Sequence, residues 1–554
     1  MAKSVRDQTA ADRGYVDLHE HIVALREAGL LFEVDREINK DTEMHPLVRW
    51  QYRGGVPEHD RKAWLFTNVT DAKGKKYDIP VLVGGLAGNR AIYQLGFGHD
   101  LATVNETWID AIANPIPPAV VGGADAPCQD IVIEGEDLLS GQGLDALPVP
   151  ISTPGWDNGP YLSSGHFITK DPATGIQNVG IYRSQLKAPN RLGINTSVEL
   201  RPGGFRHWQA WKERGEPMPC AIAIGCPPAI TYGAVQKVPL DLDEIAVVGG
   251  LIGAPVNVVR GITVDLMVPA ESEIIIEGFV DTEYLEPEGP FGESHGHVNL
   301  MEYNGFMNVT AITRKTKPIL TSIISQVTPS ESSVIKRVAY EPLFLNHLQS
   351  ALGIRGVLGV SMHEPLTNIR KVIVLKMADD VPRTEVWRAL YGTASLQAAS
   401  GKYVIAVNGD IDPNNADAVF WAMSYRAKPH RDIEILRHKN EGHGPRSMAD
   451  SEDSALLIDA TLKETFPPIS LPKKEFMERA AEIWAELGLA ELKPEAPWHG
   501  YDLGEWTDEM EAMATRATEG DYWETGRAYA QRRRGDIEMN TEIRALMRDE
   551  DDDV

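Results

Sequence analysis

The stretch Glu288-Gly289-Pro290-Phe291-Gly292-Glu293 sets two carboxylates on a segment whose backbone is restricted by glycine and proline. Two carboxyl groups can divide acid and base work when their surroundings push their pKa values apart, so that one donates a proton while the other stays ionised. A cation must hold the second one charged. Arg183 is the candidate, at the end of Gln177-Asn178-Val179-Gly180-Ile181-Tyr182-Arg183, whose apolar and β-branched residues read as a strand. Alone, an acidic pair beside Gly-Pro reads more simply as solvated turn residues.

Working outward, short β-rich runs stand between Gly and Pro clusters on both sides: Ile131-Val132-Ile133, Phe167-Ile168, Val179-Gly180-Ile181, Ile274-Ile275-Ile276 and Met307-Asn308-Val309-Thr310. This texture predicts a mostly antiparallel barrel with helical insertions. Before it, Asp17 and Glu20 form a helix-start pair, Leu18, Ile22 and Leu25 a stripe and Gly29 a stop, followed by the strand-like Leu31-Phe32-Glu33-Val34 and Ile79-Pro80-Val81-Leu82-Val83. An α/β domain is expected there. After Pro329, a helical stretch with Val334, Ile335, Leu343, Leu345 and Leu348 leads to Val372-Ile373-Val374-Leu375 and Tyr403-Val404-Ile405-Ala406-Val407, a second α/β pattern. Near the C-terminus, Pro472 opens a helix with Phe476, Ala480, Ile483 and Leu487 in a stripe read as packing, and Gly488 as its stop. The polar tail, with Arg532-Arg533-Arg534 and Asp549-Glu550-Asp551-Asp552-Asp553, reads as solvated or subunit-covering.

A chain of 554 residues with 43% apolar content implies two to four domains. Its net charge of −26 argues against nucleic-acid and anionic-membrane partners, which require clustered Lys and Arg. Three cysteines, Cys128, Cys220 and Cys226, with no secretory signal or membrane-spanning segment, point to a reducing cytoplasm and to buried neutral thiols.

Six ordered segments resemble the UbiD family of reversible decarboxylases, which use prenylated flavin mononucleotide. They are the acidic turn, the Arg183 strand, Gly165-His166-Phe167-Ile168-Thr169-Lys170-Asp171-Pro172, Ala223-Ile224-Gly225-Cys226-Pro227-Pro228, Asp243-Glu244-Ile245-Ala246 with Gly249-Gly250-Leu251-Ile252-Gly253, and Lys402-Tyr403-Val404-Ile405-Ala406-Val407 with Asp410-Ile411-Asp412-Pro413. The likeness runs from about residue 165 to about 430, is looser in the N-terminal region and leaves out the last sixty or so residues. It implies an α/β and α+β multidomain protein: an N-terminal α/β domain over 1–122, a central split β-barrel binding the flavin over 123–328, a C-terminal α/β oligomerisation domain over 329–490 and a tail over 491–554.

The resemblance also implies the chemistry. Removing carboxylate from an sp² carbon leaves an anion too unstable to form without an electron sink, which side chains do not supply. Prenylated FMN would be that sink, through a covalent adduct with the substrate carbon. Arg183, paired with Glu288, would orient the substrate carboxylate, and Glu293 would protonate the carbon that loses carbon dioxide. Asn178, Ile181, Tyr182, Arg183, Gly225, Cys226, Pro227, Glu244 and Lys402 would hold the cofactor, with Lys402 on its phosphate. Asn178 and Glu244 would ligate manganese or magnesium, with potassium a further candidate. The family adds a histidine between those two; here Arg201 or a neighbour stands at that place and His207 comes several residues late. The implied partners are an aromatic acid, favoured over a cinnamate-type one, carbon dioxide, a flavin prenyltransferase as cofactor supplier, and further copies of the chain in a homodimer or homohexamer.

Three other patterns were weighed. His295 and His297 would share a strand face if extended, which permits metal binding and a metal-dependent hydrolase, though polar lining of the substrate pocket is the favoured reading. Gly84-Gly85-Leu86-Ala87-Gly88-Asn89-Arg90 has the glycine spacing of a phosphate loop without its Lys-Ser/Thr, and reads as a turn. Ser325-Gln326-Val327-Thr328-Pro329-Ser330-Glu331 joins the middle and last domains; its polarity suits a hydroxylated or heteroaromatic acid, or an ordinary linker. A non-catalytic subunit of a larger carboxylase complex is a further alternative, against which the intact Arg183, Glu288 and Glu293 speak.

Overall fold

The computed structural model describes residues 8–195, 203–236, 238–239, 241–397, 399–440 and 452–532. Arg201, Arg533, Arg534 and the acidic run 549–553 lie outside the described residues.

Six antiparallel strands close into a barrel. Neighbours around it run Arg191–Asn195, Gln177–Ala188, Tyr161–Lys170, Met218–Ile224, Ile274–Val280 and Glu302–Arg314, and the last pairs back with the first. Met218–Ile224 and Ile274–Val280 are buried on both faces, which explains their nearly continuous apolar runs. Ile222, Ile224, Ile274 and Ile276 share one core with Leu192, Met307 and Ile312. The alternate residues Ala221, Ala223 and Ile275 pack with Ile230, Tyr232, Ile245 and Val248, which come from the inserted helices Pro228–Gly233 and Glu244–Ile252.

The N-terminal helix Leu18–Glu27 starts as its sequence predicts: Asp17 caps it, Glu20 completes the reciprocal pair, and Leu18, Ile22 and Leu25 are buried. Its sheet orders Leu31–Val34, Ala63–Phe66, Val81–Val83 and Leu320–Ser322. The last strand arrives from beyond the barrel and pairs parallel with Val81–Val83. The first α/β layer is therefore completed by a segment distant in sequence, which local pattern cannot reveal.

The helix Glu331–Asn346, capped by Ser330, leads to a five-stranded mixed sheet ordered Val357–Met362, Val372–Met377, Tyr403–Asn408, Glu452–Asp459 and Ile433–Asn440. Ile373, Leu375, Val404 and Ala406 face the helix Arg383–Leu396, whereas Val374, Ile405 and Val407 face the helix Ala416–Arg426. Helices on both faces are the physical reason for unbroken apolar strands there.

The chain divides into two compact units, 1–461 and 462–554, so the division falls earlier than the expected boundary at 490. In the second unit the helices Asp508–Glu519 and Tyr522–Gln531 pack together, and Arg532 pairs with Glu509 at 2.6 Å. The helix Lys474–Glu486 has no buried residue. Its stripe was expected to pack, but Phe476, Ile483 and Leu487 are exposed.

Candidate active site

A bulge in the barrel aims Arg183. The register between its strand and Tyr161–Lys170 shifts between Tyr182 and Ser184, so that Ser163 and Ser164 together oppose Arg183. Such an irregularity re-aims a side chain relative to a regular ladder. Glu288 approaches from the short strand Glu286–Glu288, which pairs with the start of Glu302–Arg314. Glu293 follows the two-residue strand Phe291–Gly292, whose partner is Val298–Asn299.

The three charges meet. Arg183 donates from Nε to Glu288 Oε1 at 3.0 Å and from Nη2 to Glu288 Oε2 at 2.7 Å, a two-pronged pairing. Its Nη1 donates to Glu293 Oε1. The Glu288 side chain is fully buried, and those of Arg183 and Glu293 are 9% and 13% exposed. Asn304 Nδ2 also donates to Glu288 Oε2, at 3.1 Å, and the guanidinium lies 5.2 Å from the Phe291 ring centroid. Glu288 therefore takes two edges of the guanidinium, while Glu293 holds a single one.

The acidic turn is braced by residues that composition did not single out. Asp157 accepts from Gly292 N at 2.9 Å and Thr153 N at 2.7 Å, and Asn158 Nδ2 donates to Gly289 O at 2.5 Å. Gln185 Nε2 reaches Asn158 Oδ1 at 2.7 Å. These contacts tie the turn to the Arg183 strand itself.

Arg183 and Glu293 line a cavity of about 290 Å³ together with Gly180, Ile181 and Tyr182. This is the lower end of the volume of small-molecule sites. Its other walls are Ala234, Val235 and Gln236, the face Ser332, Ile335, Lys336 and Tyr340 of the helix Glu331–Asn346, and Asn368 and Arg370. Sequence reading missed all of these. The available signal was the i, i+4 spacing of Ser332, Lys336 and Tyr340, polar groups on one helix face.

Asn178 and Glu244 also come together: Asn178 Nδ2 donates to Glu244 Oε1, and Val179 N donates to Glu244 Oε2 at 3.0 Å. Burial pushes the Glu244 carboxyl up to about 7. Asn178 Oδ1 is buried without a partner. A carboxylate beside an orphaned amide oxygen is a hard, oxygen-only donor pair that suits magnesium or manganese. Gly203 packs on the same amide so closely that an added Cβ would lie 2.4 Å from Asn178 Oδ1. His207, on the helix Gly203–Arg214, is hydrogen-bonded through Nδ1 to Thr169 Oγ1 at 2.8 Å, and burial lowers its pKa.

Several expected contacts are placed elsewhere. Gly225, at φ +65, turns the strand Met218–Ile224 into the helix Pro228–Gly233, and neither it nor Cys226 nor Pro227 lines the cavity. Cys226 Sγ lies 3.5 Å from Ser272 Oγ, and burial pushes the thiol up to about 12. The cavity is met instead by Ala234–Gln236, just past that helix. Lys402 does not line the cavity either; its Nζ donates to Asp453 Oδ2 at 2.9 Å across the neighbouring strand. His295 and His297 lie in the turn after Glu293 rather than on an extended strand; His295 Nε2 bonds Asn299 Oδ1 at 3.1 Å, and neither ring lines the cavity. Among the described residues no three His, Cys, Asp or Glu side chains gather as a metal site.

The glycine run 84–90 is a turn, as its sequence implies, and its amides do hold an anion. Gly84, Leu86 and Ala87 donate backbone N–H groups to Glu331 at 3.0, 2.9 and 3.2 Å. The anion is a side chain of the helix that forms the cavity wall.

An arginine and a glutamate on a cavity wall, with a second, buried glutamate behind the arginine, suit the handling of a carboxylate, and the comparisons specify the family. Residues 119–327 match the 3-octaprenyl-4-hydroxybenzoate carboxy-lyase Rift-related domain, and residues 334–460 match the C-terminal domain of the same carboxy-lyase. The UbiD-class enzyme HmfF from Pelotomaculum thermopropionicum, solved with FMN, is 27% identical, with a TM-score of 0.74 over 84% of this chain and 99% of that one. An evolved dimeric form of HmfF, solved with prFMN, is 27% identical, with a TM-score of 0.70 over 82% and 97%. The vanillic acid decarboxylase of Sedimentibacter hydroxybenzoicus shares the fold at 24% identity, with a TM-score of 0.70 over 85% and 98%. The chain belongs to the UbiD family, whose members are carboxy-lyases.

Proposed function

We propose that the protein catalyses reversible, non-oxidative decarboxylation of an aromatic carboxylic acid, with prenylated FMN as cofactor. The observation that carries this reading is the Arg183–Glu288–Glu293 cluster, whose Arg183 and Glu293 line a cavity together with Ile181, Tyr182 and Gln236. The flavin-bound relatives and the hydroxybenzoate carboxy-lyase domains support the cofactor and the substrate class.

Glu288 grips Nε and Nη2 of Arg183, which fixes the guanidinium plane and leaves Nη1 for a second oxyanion. An entering carboxylate competes with Glu293 for that edge. Two carboxylates on one guanidinium repel, which favours the protonated form of Glu293 when substrate is present. Glu293 then holds a proton beside the reacting carbon and delivers it there after carbon dioxide leaves. Burial of the cluster excludes water, so the proton comes from a positioned acid. When bound, prenylated flavin supplies the electron sink that no side chain here can provide. Asn178 and Glu244 would hold a manganese or magnesium ion that neutralises the cofactor phosphate.

A homodimer or homohexamer, cofactor supply by a flavin prenyltransferase and a cytoplasmic location complete the proposal. The dimeric relative supports the first, and three buried free cysteines are consistent with a reducing compartment. No helix among the described residues is long and apolar enough to cross a membrane. The test is carbon dioxide release from a panel of aromatic acids by protein co-produced with a flavin prenyltransferase. Activity in colourless, flavin-free protein that chelators remove would replace this reading with a metal-dependent hydrolase.

A further inference from the structure

The cavity carries a second charged group of residues. Lys336 and Arg370 line the same space as Arg183 and Glu293, and among the described residues neither pairs with a carboxylate. Arg370 Nη2 donates to the neutral Tyr340 hydroxyl at 2.9 Å, with its guanidinium 5.0 Å from the Tyr340 ring centroid. Three other cations of this unit with little exposed side chain are each held by a carboxylate: Lys315 by Glu273 at 2.8 Å, Arg337 by Glu341 at 2.6 Å and Arg426 by Asp410 at 2.6 Å. Two like charges facing one cavity without an anion are costly unless a ligand brings one. Burial, with Arg370 nearby, pushes the Lys336 ammonium down to about 8, as expected for positive charge left without a counter-charge.

The backbone supports the same conclusion. Leu366, Asn368 and Ile369 have φ of +63°, +52° and +47°, a region that non-glycine residues, and β-branched ones above all, rarely enter. That strained turn delivers Asn368 and Arg370 to the cavity, and strain of this kind persists only where surroundings or function require it.

We infer that the substrate is an aromatic diacid: one carboxylate reacts at Arg183 and Glu293, and a second, retained carboxylate is bound by Lys336 and Arg370. The inference rests on the decarboxylase reading above and narrows its substrate class. The cofactor phosphate is the other oxyanion these cations could serve. It is disfavoured because the proposed phosphate-side pair, Asn178 and Glu244, does not line this cavity, whereas the reacting-carboxylate groups do.

The test is equilibrium binding by calorimetry to full-length, flavin-loaded protein, using benzene-1,3- and 1,4-dicarboxylate, their monomethyl esters and benzoate. At least one diacid should bind about 10- to 100-fold tighter than its monoester, the range for one or two charge-assisted hydrogen bonds. Lys336→Met and Arg370→Met should each erase most of that preference with flavin absorbance unchanged, and Arg370→Lys should retain part of it. Equal binding of diacid and monoester, no binding of either diacid, or variants that lose flavin while keeping the preference would each overturn the inference. Diacid-selective binding without carbon dioxide release supports it and removes the decarboxylase reading. Release from monoacids without selectivity does the reverse.

Discussion

The two ends of the cavity are built on opposite principles. At one end Arg183 is saturated, with both prongs of Glu288 and one oxygen of Glu293 on a single guanidinium. Elsewhere in the cavity Lys336 and Arg370 have no carboxylate partner among the described residues, and Arg370 donates to the Tyr340 hydroxyl. A saturated cation keeps its geometry before substrate arrives and exchanges one partner for another, which suits chemistry that must move a proton. An unsaturated pair has unfavourable energy until an anion enters, which suits recognition.

The sharpest way to break this comparison is at the saturated end. Arg183→Ala and Glu293→Gln should each lower carbon dioxide release by ~10²–10⁴-fold, the usual contribution of a positioned acid or orienting group, measured at matched flavin absorbance. Wild-type turnover in either variant would remove that residue's role. Next comes Glu288→Gln. Because Glu288 is fully buried against Arg183, loss of its charge should cost ~3–5 kcal/mol of stability in urea unfolding as well as activity. An unchanged midpoint would show that the pair is not structurally required.

The wall between the two ends hangs on Glu331. Burial pushes its carboxyl up to about 7 against the pull of the backbone N–H donors of Gly84, Leu86, Ala87 and Ile324. A carboxyl whose folded pKa lies above its unfolded value contributes stability that is fully present below the ordinary value of 4.5 and is lost as pH rises through 7. Wild type should therefore lose up to ~3 kcal/mol between pH 4.5 and 8 that Glu331→Gln does not lose, read as the difference between their unfolding free energies. Parallel pH profiles would refute the assignment. The smallest effect is expected at Lys402, whose pairing with Asp453 is partly exposed. Lys402→Ala should shift stability by under ~1 kcal/mol and leave flavin retention unchanged. Flavin loss on dialysis would restore the phosphate role that its sequence context suggests.

Sequence legibility followed the same division. Arg183, Glu288 and Glu293 could be read as a group that meets because residue type and short, ordered segments marked by glycine turns and proline single them out. The barrel strands and both α/β patterns were readable as apolar runs between turn residues. Lys336 was not: on a helix, one lysine among Ile335, Val338 and Ala339 resembles any solvated lysine until the opposing wall is known. Gly225-Cys226-Pro227 does not line the cavity, because a glycine turn marks where the chain reverses, not which of its neighbours faces a cavity. Asp157 and Asn158 sit in an irregular loop, and their hydrogen bonds to Gly292 and Gly289 span more than a hundred residues.

By itself, then, the order of residues determined the local conformations, the helix caps and the chemical groups available for carboxylate chemistry, since these depend on neighbours a few positions apart. Tertiary structure alone decided that Leu320–Ser322 completes the first sheet, that Glu331 occupies the glycine turn and that Lys336 and Arg370 line one cavity with Arg183. The reason is physical: charge balance and burial are properties of everything within a few ångströms of a group, and only the folded chain determines what that is.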